Sequence, residues 1–275
     1  MTSEYPEMAF GDLPNRVPNH QTKQFFDYTV SLFLQKPDRG GEPQLSPNGS
    51  GTLISCGNRY GILTAWHVVY PTIDEARNSN YFLRIPLSNA SDILSIECRY
   101  LNFEIIGSPI GGEISSDGPD ICFIELPPGG IGTIKSKKSF WSIDRELEGV
   151  APIAYESSKT AYCTIGTPCR FFRSRSDKDI HQVYNRTIAF IGPHHQSQAV
   201  QREGFDYVDF TYTAKQYNSK PGYEGVSGGG LWAFTLQPSG VGQELEISNL
   251  LYCGLPFYQF EPNDDGYRKI RHHLS

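Results

Sequence analysis

The sequence predicts an all-β protein built from two six-stranded antiparallel β-barrels. Its 275 residues include 27 glycines and 19 prolines, a turn-rich composition that favours short strands over helices. Each half of the chain carries about six short apolar runs with strand character, and no strong helical pattern separates those of the first half. A polar, glycine-containing stretch at 128–155 lies between the halves. These observations together predict one barrel in each half, joined by a linker.

The N-terminal half is predicted to contain an arm followed by the first barrel. Residues 1–22 hold several proline turns and lack periodicity, which predicts an arm that lies on the body or is disordered. Residues 23–127 are predicted to form the barrel, with a turn-rich loop at 38–51 and a short helical turn at 68–75. Its strand-like runs lie at 25–34, 51–56, 60–66, 81–87, 95–106 and 121–126.

The C-terminal half repeats this organisation after the linker. Residues 156–262 are predicted to form the second barrel and residues 263–275 a tail. The strand-like runs lie at 161–168, 170–175, 182–191, 207–213, 231–236 and 250–260. The two halves share a strand count but no sequence repeat.

The composition indicates a folded protein and argues against several classes of partner. Hydrophobic residues make up 38% and aromatic residues 13%, which is enough for packed cores. The net charge of −6 gives no reason to expect nucleic acid or an anionic membrane as a partner. No apolar run approaches the roughly 20 residues of a membrane-spanning helix, and the first residues lack the features of a secretion signal. A cytoplasmic protein is therefore expected.

The six cysteines are predicted to be free thiols. Without a secretion signal, disulfides are disfavoured, and four of the six lie in apolar runs, where a cysteine packs as a small core residue. Cys163 and Cys169 have no histidine or second cysteine pair beside them, so no zinc or other metal site is predicted. No cofactor is predicted.

The stretch 220–232 is centred on Ser227 and is predicted to carry a nucleophile. Gly225 and the three glycines at 228–230 surround this serine, so the backbone can turn tightly. The amides of Gly225 and Ser227 are predicted to form an oxyanion hole for a carbonyl under attack. Because a serine hydroxyl is a poor nucleophile by itself, this interpretation requires a base and an orienting acid elsewhere.

His67 and Asp120 are the predicted base and acid. His67 closes the sequence Thr-Ala-Trp-His after a strand-like run, and Asp120 opens an apolar run after Gly-Pro. Each of the three residues also has a simpler explanation: a core histidine, an aspartate in a turn and a serine in a glycine-rich hairpin. Their occurrence in the order His67, Asp120, Ser227 favours the catalytic interpretation.

At these residues the sequence resembles the trypsin-like (chymotrypsin-fold) serine peptidases, of the bacterial intracellular type. The resemblance covers roughly residues 20–262 and rests on three motifs in order: Thr-Ala-x-His at 64–67, Asp-Ile-x-x-Ile-x-Leu at 120–126 and Gly-x-Ser-Gly-Gly at 225–229. It implies a chymotrypsin-like double barrel with a short C-terminal helix at 267–274. It also implies hydrolysis of peptide bonds by the three residues.

Two features depart from this family's pattern. Secreted members carry an aspartate directly before the nucleophile, which pairs with a newly cut N-terminus, whereas this chain has Val226. We therefore expect packing or another trigger, and not zymogen cleavage, to order the site. The resemblance also places Pro221 and Gly222 at the floor of the specificity pocket, with the backbone of Phe257 and the ring of Tyr258 along the substrate. Since neither floor residue is charged, an uncharged or small P1 side chain is expected.

Two classes of function are consistent with these features. The first is a serine endopeptidase that cleaves a protein or peptide, is controlled by a partner protein or a ligand and, like similar trypsin-like domains, is associated with bacterial defence against phage. The second is a proteolytically inactive module that keeps the fold and binds a peptide or protein. A third reading, an esterase or other acyl transferase at the same residues, stays open.

Overall fold

The structure is a computed structural model, and it describes most of the chain between Asn19 and Leu274. The described residues are 19–36, 45–70, 80–88, 92–108, 116, 118–144, 160–169, 172–177, 180–184, 187–191, 195–196, 199–202, 204–213, 224–238, 245–261 and 267–274. The fold is all-β, as predicted, and almost all of its strands belong to two large sheets.

The N-terminal half forms an eight-stranded sheet. All neighbouring strands run antiparallel except the last, which pairs in parallel with the second. These strands are β1 (Thr29–Gln35), β2 (Leu45–Cys56), β3 (Arg59–Thr64), β4 (Phe82–Pro86), β5 (Ile93–Glu97), β6 (Asn102–Gly107), β7 (Ile121–Glu125) and β8 (Trp141–Ser142).

The order of strands shows that this sheet wraps into a six-stranded barrel. The path runs β5-β4-β1-β2-β3-β7-β6, so its two end strands are consecutive in the chain. A 3-10 turn at Cys98–Tyr100 joins them. β5 and β6 are therefore two parts of one bent strand that closes the barrel, and counting them once leaves six strands.

The C-terminal half contains the remaining strands, eight of which form the second sheet. They are β9 (Thr160–Gly166), β10 (Arg173–Asp177), β11 (Ile180–Tyr184), β12 (Ile188–Ile191), β13 (His195–Gln196), β14 (Val200–Arg202), β15 (Phe205–Thr213), β16 (Gly230–Pro238), β17 (Leu245–Gln259) and β18 (Tyr267–Leu274). The path is β12-β9-β16-β17-β18-β15-β13, while β10 and β11 form a separate hairpin and β14 pairs with β15. The two end strands of this seven-stranded path, β12 and β13, are again consecutive in the chain. Counting them once leaves six strands in the second barrel.

Two helices with defined ends flank the first barrel. Helix α1 (Asn19–Phe26) leads into β1, and Lys138 Nζ donates to the Phe26 carbonyl at 2.8 Å, which satisfies one of the carbonyls left open at a helix C-terminus. Helix α2 (Pro128–Lys135) begins with a proline, which suits the first turn, and ends at a lysine, which suits the C-terminal dipole. None of the described helices has the length and apolar character needed to cross a membrane.

An aromatic cluster around Trp232 holds the two halves together. The fully buried Trp232 lies 5.4 Å from the Tyr28 ring and 5.2 Å from the Trp141 ring, both from the N-terminal half. Tyr252 of β17 lies 5.2 Å from it on the other side. Burial of a ring of this size stabilises the fold by about 2–3 kcal/mol, so the relative placement of the two barrels, and of anything between them, is constrained.

The predicted C-terminal helix is wrong. Residues 267–274 form β18, which pairs with β15 on one side and with β17 on the other. The run Tyr-Arg-Lys-Ile-Arg-His-His-Leu contains charged residues that resemble a solvated tail, but two neighbouring strands provide partners for its backbone groups. The last described strand is therefore internal to the second sheet.

Other local predictions need smaller corrections. Phe25 and Phe26, predicted to begin the first strand, lie in α1. Part of the predicted loop 38–51 belongs to β2, and the predicted strand 95–106 is divided into β5 and β6. Residues 66–70 are helical, close to the predicted turn, and α2 occupies the start of the predicted linker. The boundaries of the arm, barrels and linker otherwise stay predictions.

Candidate active site

His67 is presented at the point where β3 ends. The strand stops at Thr64, the backbone turns through the buried Ala65, and residues 66–70 form a short helix. The ring of Trp66 stacks on Tyr70 at 3.8 Å within this helix and is buried in the core of the first barrel, which anchors the helix there. The side chain of His67 keeps 18% of its surface exposed, so the ring is held firmly but can still be reached.

Asp120 contacts His67 through both carboxylate oxygens. Its Oδ2 lies 2.5 Å from His67 Nδ1, and its Oδ1 accepts the His67 backbone N–H at 2.9 Å. Asp120 is fully buried at the start of β7. Because an ionised carboxylate only accepts hydrogen bonds, Nδ1 carries a proton, and in the neutral ring Nε2 then holds the lone pair. This is the tautomer that a general base for a hydroxyl group requires.

The turn around Ser227 packs against the end of β3. The Ser227 carbonyl accepts the backbone N–H of Ser50 at 3.0 Å. Gly228, at φ +81°, lies so close to β3 that a β-carbon on it would overlap Thr64 Oγ1 and lie 2.8 Å from the Ala65 nitrogen. Only glycine fits this approach. The turn is therefore placed beside the residues that lead directly into His67.

The peptide groups before Ser227 are oriented by hydrogen bonds on the carbonyl side. The Glu224 carbonyl accepts the Cys169 N–H at 2.7 Å, and the Gly225 carbonyl accepts Ser50 Oγ–H at 2.6 Å. In a trans peptide the C=O and N–H groups point in opposite directions, so the Gly225 N–H points away from Cys169. Neither this amide nor that of Ser227 has an acceptor among the described residues. Both amides are available to an oxygen atom of a ligand.

Val226 is held by packing. Its side chain is 2% exposed in the core of the second barrel, and a β-carbon on Gly166 would lie 2.7 Å from the Val226 Cα. Gly225, at φ +90°, occupies a conformation that favours glycine and would meet the Thr167 carbonyl if it carried a β-carbon. Packing around Val226 and Gly225 therefore holds this turn.

The predicted substrate-contacting residues are only partly described. Pro221 and Gly222 lie outside the described residues. Phe257 is 1% exposed, so its ring belongs to the core and only its backbone can face a substrate, whereas Tyr258 is half-buried and contacts Phe260 at 5.0 Å. On one edge β17 pairs with β18 as far as Gln259. On the other edge its pairing with β16 reaches no further than Gly254.

Sequence reasoning missed two residues that contact the site. Ser50, predicted to lie in a loop, is in β2 and reaches the turn of Ser227. His273, treated as part of the tail, is 1% exposed and its Nε2 accepts the Asp120 N–H at 3.0 Å. Recognising 267–274 as a strand would have indicated that these histidines enter the fold. No local signal marks Ser50.

Two histidines of β18 are kept neutral by burial. Burial lowers the pKa of His273 to about 4, against a smaller opposing effect of the Asp120 carboxylate. Burial also lowers the pKa of His272 to about 3; its Nε2 lies 2.8 Å from Thr164 Oγ1 inside the second barrel. At neutral pH both rings are therefore uncharged, and His273 Nε2 acts as an acceptor.

Other chemistry is not assembled in the part of the chain that the structure describes. No group of three or more histidine, cysteine, aspartate or glutamate side chains there is arranged to hold a metal ion. All six cysteines are free thiols.

Comparison with known proteins adds little to this geometry. No protein-family model and no curated protein matches the chain. Among solved structures, the chain is similar to the crystal structure of tobacco vein mottling virus protease, with 11% identity over 88% of this chain and 76% of that chain and a TM-score of 0.32. At that TM-score the similarity carries no argument about fold or activity.

Proposed function

We propose that this protein is a serine endopeptidase in which Ser227 is the nucleophile, His67 the general base and Asp120 the acid that orients it. The observation that carries the proposal is the pair of hydrogen bonds between Asp120 and His67, to the ring at 2.5 Å and to the backbone at 2.9 Å. In the neutral ring this pair leaves the lone pair on Nε2, and the turn that contains Ser227 packs against Thr64 and Ala65, directly before His67. A core histidine has no need of such an arrangement.

The proposed reaction begins when the Ser227 hydroxyl attacks a peptide carbonyl. The Oγ–C bond forms, the hydroxyl proton moves to His67 Nε2 and the carbonyl π-electrons move to oxygen, which accepts hydrogen bonds from the amides of Gly225 and Ser227. On collapse the C–N bond breaks and the imidazolium gives its proton to the leaving amine. Water then attacks the acyl group with His67 as base, which regenerates the hydroxyl and releases the acid.

The described part of β17 supports a peptide as the substrate. Beyond Gly254, the edge of β17 that faces the Ser227 turn has no strand partner among the described residues, and Gly228 N–H contacts the Pro256 carbonyl at 2.8 Å. An extended peptide laid along residues 257–259 would form backbone hydrogen bonds there and bring its own carbonyl to Ser227. With Pro221 and Gly222 uncharged, an uncharged or small P1 side chain is proposed.

The test is covalent labelling with a fluorophosphonate, read by intact mass. Wild type, Ser227→Ala and Ser95→Ala are compared, because Ser95 is an exposed serine of β5, a strand that carries none of the predicted site residues. One adduct on wild type and Ser95→Ala, and none on Ser227→Ala, supports the proposal. An adduct that persists on Ser227→Ala, or no adduct on wild type, overturns it. Cleavage of a peptide library then distinguishes a peptidase from an esterase.

A further inference from the structure

We infer that His273 is a positioning residue for the acid of this site: its neutral ring fixes the backbone of Asp120 so that the carboxylate meets His67. The inference rests on the proposed function, because it gives Asp120 the role of orienting acid. It concerns a residue of the second barrel that acts on a residue of the first.

The geometry places Asp120 between two histidines. His67 binds its carboxylate, and His273 Nε2 accepts its backbone N–H at 3.0 Å. Asp120 and His273 are both almost fully buried, so water does not compete for this hydrogen bond. An accepting Nε2 means that the ring proton sits on Nδ1. One hydrogen bond holds the main chain and two others aim the side chain.

The ring of His273 is packed among aromatic side chains. It stacks on Phe257 with centroids 4.2 Å apart and lies 4.7 Å from the Tyr207 ring and 5.7 Å from that of Phe205. Its Nδ1 is buried without a partner among the described residues. An unpaired buried donor is unfavourable, so phenylalanine would suit these surroundings better. What histidine supplies and phenylalanine lacks is the acceptor Nε2 that contacts Asp120.

Arg271 holds the same segment at a second point. Its guanidinium makes two hydrogen bonds to the buried Asp209, at 2.7 and 2.9 Å, and donates a third to the Ser116 carbonyl at 2.6 Å. Ser116 precedes Asp120 by four residues. Residues 271 and 273 lie two apart on β18, so one strand of the second barrel fixes both the approach to Asp120 and Asp120 itself.

His272 provides a matched comparison on the same strand. It is as buried as its neighbour, but its Nε2 contacts Thr164 and its ring contacts Phe210, both within the second barrel. Loss of this ring affects the packing of β18 without removing a hydrogen bond to Asp120. A purely structural role of His273 would therefore give the two positions similar effects.

The experiment compares His273→Phe, His273→Gln, His273→Asn and His272→Phe. Glutamine can place an oxygen near the position of Nε2, whereas asparagine is too short. The maximal rate of fluorophosphonate labelling is expected to fall roughly tenfold in His273→Phe and His273→Asn. The half-saturating concentration of the probe is expected to change by less than about twofold, because misplacing a catalytic group slows the chemical step and not binding. His273→Gln and His272→Phe are expected to stay within about threefold of wild type.

Proton NMR of the full chain gives a readout that does not need activity. The Nδ1 proton that His67 shares with Asp120 is expected far downfield, and His67→Ala assigns it by its loss. In His273→Phe and His273→Asn this resonance should shift upfield or broaden, while in His273→Gln and His272→Phe it should persist.

The outcomes separate this inference from the proposed function. If wild type is not labelled by the fluorophosphonate, the proposed function fails and the resonance alone decides whether His273 positions Asp120. If His273→Phe keeps both the wild-type labelling rate and the resonance, the inference is overturned. Equal losses in His273→Gln and His273→Asn, or in His272→Phe, would also overturn it. Should His273→Phe not fold, the glutamine and asparagine variants decide.

Discussion

Replacing Ser50 with alanine should impair the site more than it impairs the fold. Ser50 Oγ donates to the Gly225 carbonyl at 2.6 Å and accepts the Thr167 N–H at 2.8 Å, and the residue is fully buried. Ser50→Ala leaves both of these backbone groups without their partner, which should lower the free energy of unfolding by about 2–4 kcal/mol. The peptide between Gly225 and Val226 then loses the contact that fixes it, and the adjoining Glu224–Gly225 peptide, which carries the Gly225 N–H, keeps only its hydrogen bond from Cys169.

The effect on chemistry is expected to exceed what stability explains. One donor of an oxyanion hole contributes a factor of about 100 to 1,000. Partial release of Gly225 should therefore slow fluorophosphonate labelling by at least about tenfold. The matched control is Ser31→Ala, because Ser31 Oγ donates to Thr167 Oγ1 at 2.7 Å in the same network, while the hydrogen bond to the Gly225 carbonyl comes from Ser50. Its cost is about 1–2 kcal/mol of stability.

Urea unfolding and labelling rates, measured on the same preparations, test this reasoning. Labelling is followed at denaturant concentrations where every variant is fully folded. The reasoning is refuted if Ser50→Ala labels as fast as Ser31→Ala, since the orientation of Gly225 would then not depend on Ser50. A slower rate that an added excess of probe restores would also refute it, because the defect would lie in binding.

Three further predictions concern charge and backbone. Asp120→Asn should reduce the rate of labelling by roughly 10⁴-fold, because an amide can donate to Nδ1 and favour the unproductive tautomer of His67. Mass spectrometry over a time course measures this rate. A loss below about tenfold would exclude Asp120 as the orienting acid. Acid should destabilise the fold, because the pKa values of His272 and His273, about 3 and about 4, lie below the value of an unfolded chain. The contribution of each neutral ring to stability is therefore complete above pH 6.5 and declines as pH falls, toward 4 for His273 and toward 3 for His272. Each ring contributes about 1.4 kcal/mol per pH unit within its window, so urea unfolding at several pH values should show a shallower slope for His272→Phe, and an unchanged slope would contradict the assignment. Gly225→Ala should lower the free energy of unfolding by about 2 kcal/mol or more and abolish labelling. The reason is that an alanine at φ +90° is strained and that its β-carbon meets neighbouring backbone. A folded variant that labels normally would show that the turn has another conformation.

Local patterns predicted the features that depend on neighbours in the chain. The predicted strand-like runs 51–56 and 60–66 correspond to the end of β2 and to β3, and the turn between these strands contains Gly57 at φ +56°. His67 at a strand end and Asp120 before an apolar run also follow from local sequence. In each of these cases the pattern within about ten residues contains the information.

The remaining features depend on residues far away in the chain. Phe25 follows the alternation of a strand, but its ring is buried against Trp232 from within a helix, so periodicity alone was ambiguous. β18 has an exposed-looking composition, and only its pairing with β15 and β17 makes it a strand. The contacts of His273 with Asp120 and of Ser50 with Gly225 span 153 and 175 residues, which no local pattern encodes.

The internal position of β18 has a consequence for biosynthesis. It is the last strand of the second sheet to be made, yet it lies between β17 and β15, so that sheet is incomplete while the ribosome is still translating residues 267–274. The first barrel can fold earlier, because domains generally fold in the order in which they emerge. The hydrogen bonds of His273 with Asp120 and of Arg271 with Ser116 can form only after residues 271–273 have been translated. A growing chain therefore lacks the contacts of His273 and Arg271 with the segment of Asp120 until β18 has been made.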